Sequence, residues 1–179
     1  MVLVLDPTVQ MRTLEDNPGP GPDAGSIRGR TVGFRLDTLW RSWDWVAEEW
    51  QQLLGVDGAA SRTWRTPSRT EAEGVELDDD LGDFYDSVDV AIVGLGNCGS
   101  CTQWTILDAI AAANRGLPTV AIVTAQFEDI ARTLSGLGGR PELRLCVLPY
   151  PFDVLPETEV RSIARELFPT VVDALGVRP

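Results

Sequence analysis

The most reactive side chains of this sequence are two thiols in the segment GLGNCGSC, residues 94–101. Cys98 and Cys101 fit the pattern C-x-x-C, in which two thiols lie close enough in the chain to act together. The glycines of the same segment fit G-x-G-x-x-G, a loop that binds the pyrophosphate of a dinucleotide. The segment therefore allows two chemistries, phosphate binding and thiol chemistry, which the surrounding residues must distinguish.

The dinucleotide interpretation lacks the second half of its signature. Such a site places an acidic residue at the end of the next strand, about 20 residues on, where it binds the ribose. Here the next strand ends at Thr124, without a carboxylate. The glycines are explained instead by a tight turn and close packing of a strand on a helix. A zinc site is disfavoured because a second pair of ligands is missing, so we predict neither a cofactor nor a metal.

The thiol interpretation rests on the N-terminus of a helix. We expect Cys98 in the turn after a strand, and Cys101 in the first turn of the helix that follows. Unpaired N–H groups and the positive end of the helix dipole stabilise a thiolate at such a place. Ser100 or Thr102 can cap this helix and donate a hydrogen bond. The alternative is that the two cysteines are only small buried residues.

The position of each thiol predicts how it reacts. We predict that Cys98 is the more reactive one, since it precedes the helix N-terminus. We also predict that Cys98 and Cys101 can approach closely enough for a disulfide, which requires Cα atoms within about 7 Å of each other. The alternative is a thiol pair separated by the helix turn. The third cysteine, Cys146, lies in an apolar strand and is assigned to the core.

The composition excludes several kinds of active site. The 179 residues contain no His, and every basic residue is Arg. A Ser-His-Asp triad, a Cys-His dyad, a Schiff-base lysine and a His metal ligand are therefore excluded. The net charge of −12 disfavours nucleic acid as a partner. We find neither a membrane-spanning segment nor a signal peptide, and expect a cytoplasmic protein.

Strands and helices must alternate to position the thiols. Apolar runs predict strands at 31–36, 88–95, 118–124 and 143–150, with a further candidate at 61–66. Helical spacing predicts helices at 39–55, 102–114, 126–139 and 156–176, the last with a candidate break at Pro169. The acidic segment 71–87 is interpreted as a solvated loop. We predict an α/β three-layer sandwich with a mostly parallel, flavodoxin-like sheet of about five strands. A single domain spans 1–179, with residues 1–29 as an N-terminal arm.

Ligands in such sheets bind beyond the carboxyl ends of the strands. The candidate residues for binding a small-molecule substrate lie at these ends and around the thiols: Asn97, Gly99, Ser100, Thr102, Asp37, Thr124 and Tyr150. Asp108 lies two helical turns after Cys101 on the same face, where a carboxylate can act as a proton acceptor. Alternatively, Asp108 fixes a neighbouring loop through hydrogen bonds.

The helix at 39–55 carries a feature that indicates assembly. Its spacing places Trp43, Val46 and Trp50 on one face, whereas Trp45 falls on the opposite, polar face. An exposed Trp among acidic residues is typical of protein interfaces. We therefore predict a homo- or hetero-oligomer. The alternative is that the N-terminal arm covers Trp45 within the same chain.

The segment VDVAIVGLGNCGSCTQWTILDAIAAANRGLPTVAIVT, residues 88–124, resembles the UGSC family of selenoproteins and their cysteine homologues. LDPT near the N-terminus and RGRTVGF at 28–34 also resemble this family. The family is named for a selenocysteine-Gly-Ser-Cys motif, which stands here as Cys98-Gly99-Ser100-Cys101. The resemblance implies that Cys98 is the reactive centre and that Cys101 is its resolving partner.

The chain departs from the family at one place. Where the resemblance leads us to expect PHP after the last strand, residues 149–151 read PYP, so a candidate acid or base is missing. Either Tyr150 takes a related role, or the chemistry is weaker, or a partner subunit supplies the group.

Three hypotheses remain at this point. The chain is a thiol oxidoreductase in which both cysteines react. Alternatively, it is a cysteine-nucleophile hydratase, lyase or hydrolase that needs only Cys98. The third is a non-catalytic subunit of a hetero-oligomeric enzyme, completed by a paralogous chain.

Overall fold

The computed structural model describes residues 18–66 and 74–178, where strands and helices alternate. The strands are β1 (Thr31–Leu36), β2 (Ala60–Arg65), β3 (Val90–Gly96), β4 (Thr119–Thr124) and β5 (Leu145–Leu148). The helices are α1 (Arg41–Val56), α2 (Gly74–Asp86), α3 (Gly99–Asn114), α4 (Glu128–Leu137) and α5 (Glu157–Ala174). A 3₁₀ turn, Ala125–Phe127, leads from β4 into α4. The first 17 residues of the predicted arm lie outside the described residues.

The strands pair in the order β2-β1-β3-β4-β5, and every pairing is parallel. This is the order of a flavodoxin-like sheet, in which the chain direction across the sheet reverses between β1 and β3. All residues of β3 and β4 are buried, as expected for strands covered on both faces. The predicted fold class is therefore confirmed.

Two hydrophobic cores lie on the two faces of the sheet. On one face, Trp43 and Trp50 of α1 and Val160 of α5 pack against the strands. On the other, Phe84 of α2 and Ile106 of α3 pack with residues of α4. The helices thus form an outer layer on each side, and the sheet carries the ends of β3, β4 and β5 to one common edge.

The acidic segment 71–87 was expected to be a solvated loop, and this prediction is wrong for its described part. Gly74–Asp86 forms α2. Leu81, Phe84 and Tyr85 recur at helical spacing and are buried, while Asp79, Asp80, Asp83 and Asp86 are exposed. Amphipathic spacing therefore outweighs the local density of charge in deciding the structure of this segment.

Two other helices differ from prediction at particular residues. α3 begins at Gly99, three residues before the predicted start, because Cys98 itself is the N-cap. α5 runs without a break through Pro169, which lies exposed inside the helix.

Trp45 is half-buried, so the prediction that it is exposed is wrong. The Arg41 guanidinium lies over its ring at 5.8 Å from the centroid. Helix α5 crosses the same face of α1, where Arg161 donates to Glu48 at 2.6 Å. The polar face of α1 is thus covered by a helix of its own chain. The oligomer remains a prediction, without Trp45 as its support.

The described part of the arm, residues 18–29, lies elsewhere. Ala24 N–H donates to Leu175 O at 2.8 Å, and Gly25 forms a parallel bridge with Val177. Ala24 and Ile27 are buried in the core beside α1 and α5. This part of the arm therefore packs against the C-terminal residues.

Candidate active site

The two cysteines lie where β3 passes into α3, at the carboxyl edge of the sheet. Cys98 has an extended backbone and is the N-cap of α3, and Cys101 lies in the first helical turn. They form a disulfide, with Cα atoms 5.0 Å apart, so the prediction that they can pair is confirmed. Cys98 is half-buried, whereas Cys101 is only 8% exposed. Cys98 is therefore the more accessible of the two residues.

The sulfur of Cys98 lies among hydrogen-bond donors. The N–H of Cys101 donates to Cys98 Sγ at 3.1 Å, and Ser100 Oγ lies 3.5 Å from the same atom. Thr102 Oγ1 donates to Cys98 O at 2.6 Å, which holds the turn against the helix. The prediction that Ser100 or Thr102 caps α3 is wrong, because the Cys98 sulfur accepts the capping bond. Donors at a helix N-terminus are the kind of group that stabilises a thiolate.

The glycines of this segment are explained by packing. A Cβ at Gly94 would lie 2.7 Å from the Trp43 ring. A Cβ at Gly96 would lie 2.8 Å from Val123 and 3.1 Å from Thr102 Oγ1. These two glycines let β3 approach the helices, as the sequence interpretation favoured.

Polar side chains from the ends of β3 and β4 and from the loop after β5 meet next to the cysteine turn. Thr124 Oγ1 donates to Asn97 Oδ1 at 2.9 Å, and Asn97 Nδ2 donates to Asp153 Oδ1 at 3.2 Å. Asn97 and Thr124 are buried. The structure therefore brings two predicted binding residues together, and their side chains bond each other and the loop after β5.

The remaining predicted site residues have different surroundings. Asp37 is buried and accepts backbone N–H bonds from Leu39 at 2.8 Å and Leu95 at 3.1 Å. Tyr150 is 49% exposed, and its ring meets that of Phe127 edge-on at 6.1 Å. Gly99 and Ser100 are exposed in the first turn of α3. Asp37 is thus part of the framework, while Tyr150 lies on the surface of the same sheet edge.

Asp108 forms a buried ion pair with Arg35 of β1. Arg35 Nε donates to Asp108 Oδ2 at 2.8 Å, and Nη2 lies 2.7 Å from the same oxygen. The Asp108 carbonyl accepts from Tyr85 Oη at 3.0 Å. Asp108 was considered either as a proton acceptor or as a residue that fixes a neighbouring loop. This geometry matches a structural role, but Asp108 links helix α3 to strand β1 and not to a loop.

Cys146 is buried within β5, as predicted for a core residue. Burial raises the pKa of its thiol to about 12. A thiol of that kind is protonated at neutral pH and is a poor nucleophile.

No group of three or more Cys, Asp or Glu side chains is placed to hold a metal ion in the described parts of the chain. Among the same residues, no helix combines the length and apolar character that crossing a bilayer requires.

Sequence reasoning missed three residues near this edge: Arg35, Phe127 and Asp153. Arg35 had a visible signal, since it is the one charged residue in the apolar strand TVGFRL. A charge inside a buried strand requires a buried partner of opposite sign. Asp153 and Phe127 carry no such signal, because loop geometry brings them to the site.

The model of the UGSC family matches residues 3–177. No curated protein matches the chain. Among solved structures, a flavone reductase is similar at a TM-score of 0.38 and 12% sequence identity, over 81% of this chain and 62% of that one. The chain thus spans less than two thirds of that protein's length.

Proposed function

The chain belongs to the UGSC family, and we propose that it is a thiol-dependent enzyme, or enzyme subunit, that carries out a redox reaction on a small molecule. Cys98 is the attacking thiol and Cys101 is the resolving thiol. One observation carries the proposal: a half-exposed Cys98 is joined by a disulfide to a buried Cys101 at the N-terminus of α3.

The proposed reaction transfers two electrons from the dithiol to a substrate with a reducible bond X–Y, such as a small disulfide. The Cys98 thiolate attacks X, the X–Y bond breaks, and Y leaves with the bonding pair and takes a proton. Cys101, as a thiolate, then attacks Cys98 Sγ, and X leaves with its bonding pair and takes a second proton. The product is the disulfide seen in the structure, which an external thiol must reduce before the next turnover.

The surroundings of Cys98 support the first step without a histidine. The Cys101 N–H at 3.1 Å and the Ser100 hydroxyl at 3.5 Å both face its sulfur. Donors fixed at a helix N-terminus stabilise negative charge and lower the pKa of a thiol there. We expect the pKa of reduced Cys98 to lie below the ordinary value of about 8.5.

A titration of the reduced protein with a chromogenic aryl disulfide tests the proposal. The wild type should release two aryl thiolates per chain and end as the intramolecular disulfide. Cys101→Ser should release one and keep the second aryl group as a mixed disulfide on Cys98, visible by mass spectrometry. Cys98→Ser should react slowly, because only the buried thiols remain. Equal fast reaction of Cys98→Ser and the wild type would overturn the proposal.

A second candidate is a cysteine nucleophile without net redox change, as in a hydratase, lyase or hydrolase. The donors around Cys98 Sγ favour it equally, since a thiolate held by N–H and O–H groups can also add to carbon. Once a substrate is found, Cys101→Ser separates the two functions. Turnover persists in this variant if only Cys98 is needed, and stops if the disulfide must form.

We also propose that the site is completed in a homo- or hetero-oligomer. Leu39, Tyr150 and Val154 are exposed apolar residues in the loops after β1 and β5, at the edge that holds Cys98. Sedimentation of the purified chain, alone and with a paralogous chain, tests this. A chain that is monomeric and fully active alone would contradict it.

A further inference from the structure

Strand β3 contains a bulge immediately before the cysteine turn. Val93 pairs with Ala121 of β4, and Gly96 pairs with Val123. Two residues of β3, Gly94 and Leu95, therefore lie opposite a single residue of β4. After an extra residue of this kind, each later side chain of the strand points to the face of the sheet opposite to the one that regular alternation predicts.

The side chains on the two sides of the bulge show this exchange. Val90 and Ile92 pack in the core beside α1 and α5, while Val93 packs in the core beside α2 and α3. Regular alternation would send Leu95 to the same core as Val93, but Leu95 packs in the core beside α1. Gly96 then faces Thr102 of α3. The bulge thus determines how the chain leaves the strand and enters the turn with Cys98.

Two charged side chains, one in the neighbouring β1 and one directly after it, hold the peptide group of this bulge. Arg35 Nη1 donates to Gly94 O at 2.9 Å. The N–H of Leu95 donates to Asp37 Oδ2 at 3.1 Å. The backbone pairing of β1 with β3 ends at Arg35 and Val93, so side chains replace the backbone ladder at this point.

Each of these side chains is fixed from a second side as well. Arg35 also binds Asp108 of α3, and Asp37 Oδ1 accepts the N–H groups of Leu39 and Trp40 at 2.8 and 3.1 Å. Arg35 and Asp37 are 2% and 7% exposed. Water therefore has little access to replace either bond, and a buried peptide group without partners is costly.

We infer that Arg35 and Asp37 are positioning residues for Cys98: they hold the bulged peptide Gly94–Leu95 and thereby set the turn that places the Cys98 sulfur on the N–H of Cys101. The inference rests on the proposed function, in which that sulfur reacts as a thiolate. Both residues act through the backbone, and neither is assigned a contact with substrate.

The test is the pH dependence of Cys98 alkylation by iodoacetamide in the reduced protein, followed by mass spectrometry. Asp37→Asn keeps one oxygen for Leu39 and Trp40 but turns an amide donor toward the N–H of Leu95. Arg35→Lys keeps the charge opposite Asp108 but loses the planar fork that also reaches Gly94 O.

Asp89→Asn is the matched control. The Asp89 carboxylate also accepts a backbone N–H across β1 and β3, from Thr31 at 2.8 Å, but at the opposite end of the strands. It tests whether replacing a carboxylate that links these strands is by itself enough to alter Cys98.

We expect the midpoint of the pH profile to rise by about one unit in Asp37→Asn and Arg35→Lys. This is the effect of losing one hydrogen bond to a charged group, here the bond from the Cys101 N–H to the Cys98 thiolate. The Asp89→Asn midpoint should match the wild type. Midpoints unchanged in both folded variants would overturn the inference, as would an equal rise in Asp89→Asn. If Asp37→Asn does not fold, Arg35→Lys decides alone. A wild-type Cys98 with an ordinary midpoint would instead contradict the proposed function, so the two failures are distinguishable.

Discussion

Reduction of the Cys98–Cys101 disulfide should cost this protein little stability. The disulfide closes a very short loop, with a sequence separation of 3. For such a loop the chain-entropy relation gives about 2 kcal/mol at 25 °C. In a domain of this size that loss lowers the melting temperature by about 4–8 °C.

Two features of the folded reduced state should make this loss of stability smaller. Cys101 remains buried against the core, so its apolar contacts do not depend on the disulfide. The Cys101 N–H at 3.1 Å from Cys98 Sγ can donate to the reduced sulfur, and more strongly once that sulfur is a thiolate. The fall of about 4–8 °C is therefore an upper estimate.

Thermal unfolding followed by circular dichroism, with and without a thiol reductant, measures this difference. The Cys98→Ser/Cys101→Ser double variant is the control, because its melting temperature should not respond to the reductant. A fall of more than about 15 °C in the wild type alone would show that the disulfide carries the fold. That result would refute the argument that this bond is made and broken in each turnover.

The other predictions concern single buried groups. Asp108→Ala should lower the free energy of unfolding by about 3–5 kcal/mol, because it leaves Arg35 buried without its carboxylate. Urea unfolding measures this loss. A much smaller loss when Asp108→Ala is made in an Arg35→Met background would identify the ion pair as the cause. Gly94→Ala should cost about 1–3 kcal/mol by forcing a methyl group against Trp43, whereas Gly99→Ala, with nothing within 4 Å of its Cβ, is the matched control in the same assay. Cys146 should resist alkylation in the native protein and react only on unfolding. Burial raises the pKa of Cys146 from its ordinary value of 9.0 to about 12. The stability that its protonated thiol contributes is therefore present below pH 9 and is lost as the pH rises toward 12, which unfolding of wild type and Cys146→Ala at graded pH would show.

Most of the fold could be predicted because apolar periodicity decides it. β1 lies at the predicted residues 31–36, and the all-apolar runs of β3 and β4 indicated a sheet covered on both faces. The failure at α2 has a physical cause. Charge density marks a solvated surface, but a helix presents such a surface on one side while Leu81 and Phe84 are buried on the other.

The candidate site could be predicted only in part, because sequence order and spatial role differ there. The cysteine turn has a local signature, and its place at a helix N-terminus follows from the strand and helix around it. The bulge of β3 has no such signature. It involves contacts with residues distant in the chain: Arg35 in β1 binds Gly94 O, and Asp37 after β1 accepts the N–H of Leu95. The prediction that Trp45 is exposed was wrong for the same reason. Periodicity assigns a residue to a face of α1, but it does not indicate that α5 covers that face.

The absence of His and Lys agrees with this architecture rather than opposing it. In the proposed reaction the α3 N-terminus stabilises charge on Cys98 Sγ, and the half-exposed position of Cys98 lets water accept the proton. The buried carboxylates nearby serve another purpose, because Asp37 and Asp108 are held by backbone N–H groups and by Arg35. In the proposed reaction these buried charges thus fix the backbone, and the helix terminus is expected to take the task that imidazole performs in a Cys-His pair. Asp37→Asn should alter the reactivity of Cys98 only through the geometry of the turn, as the alkylation profile would show.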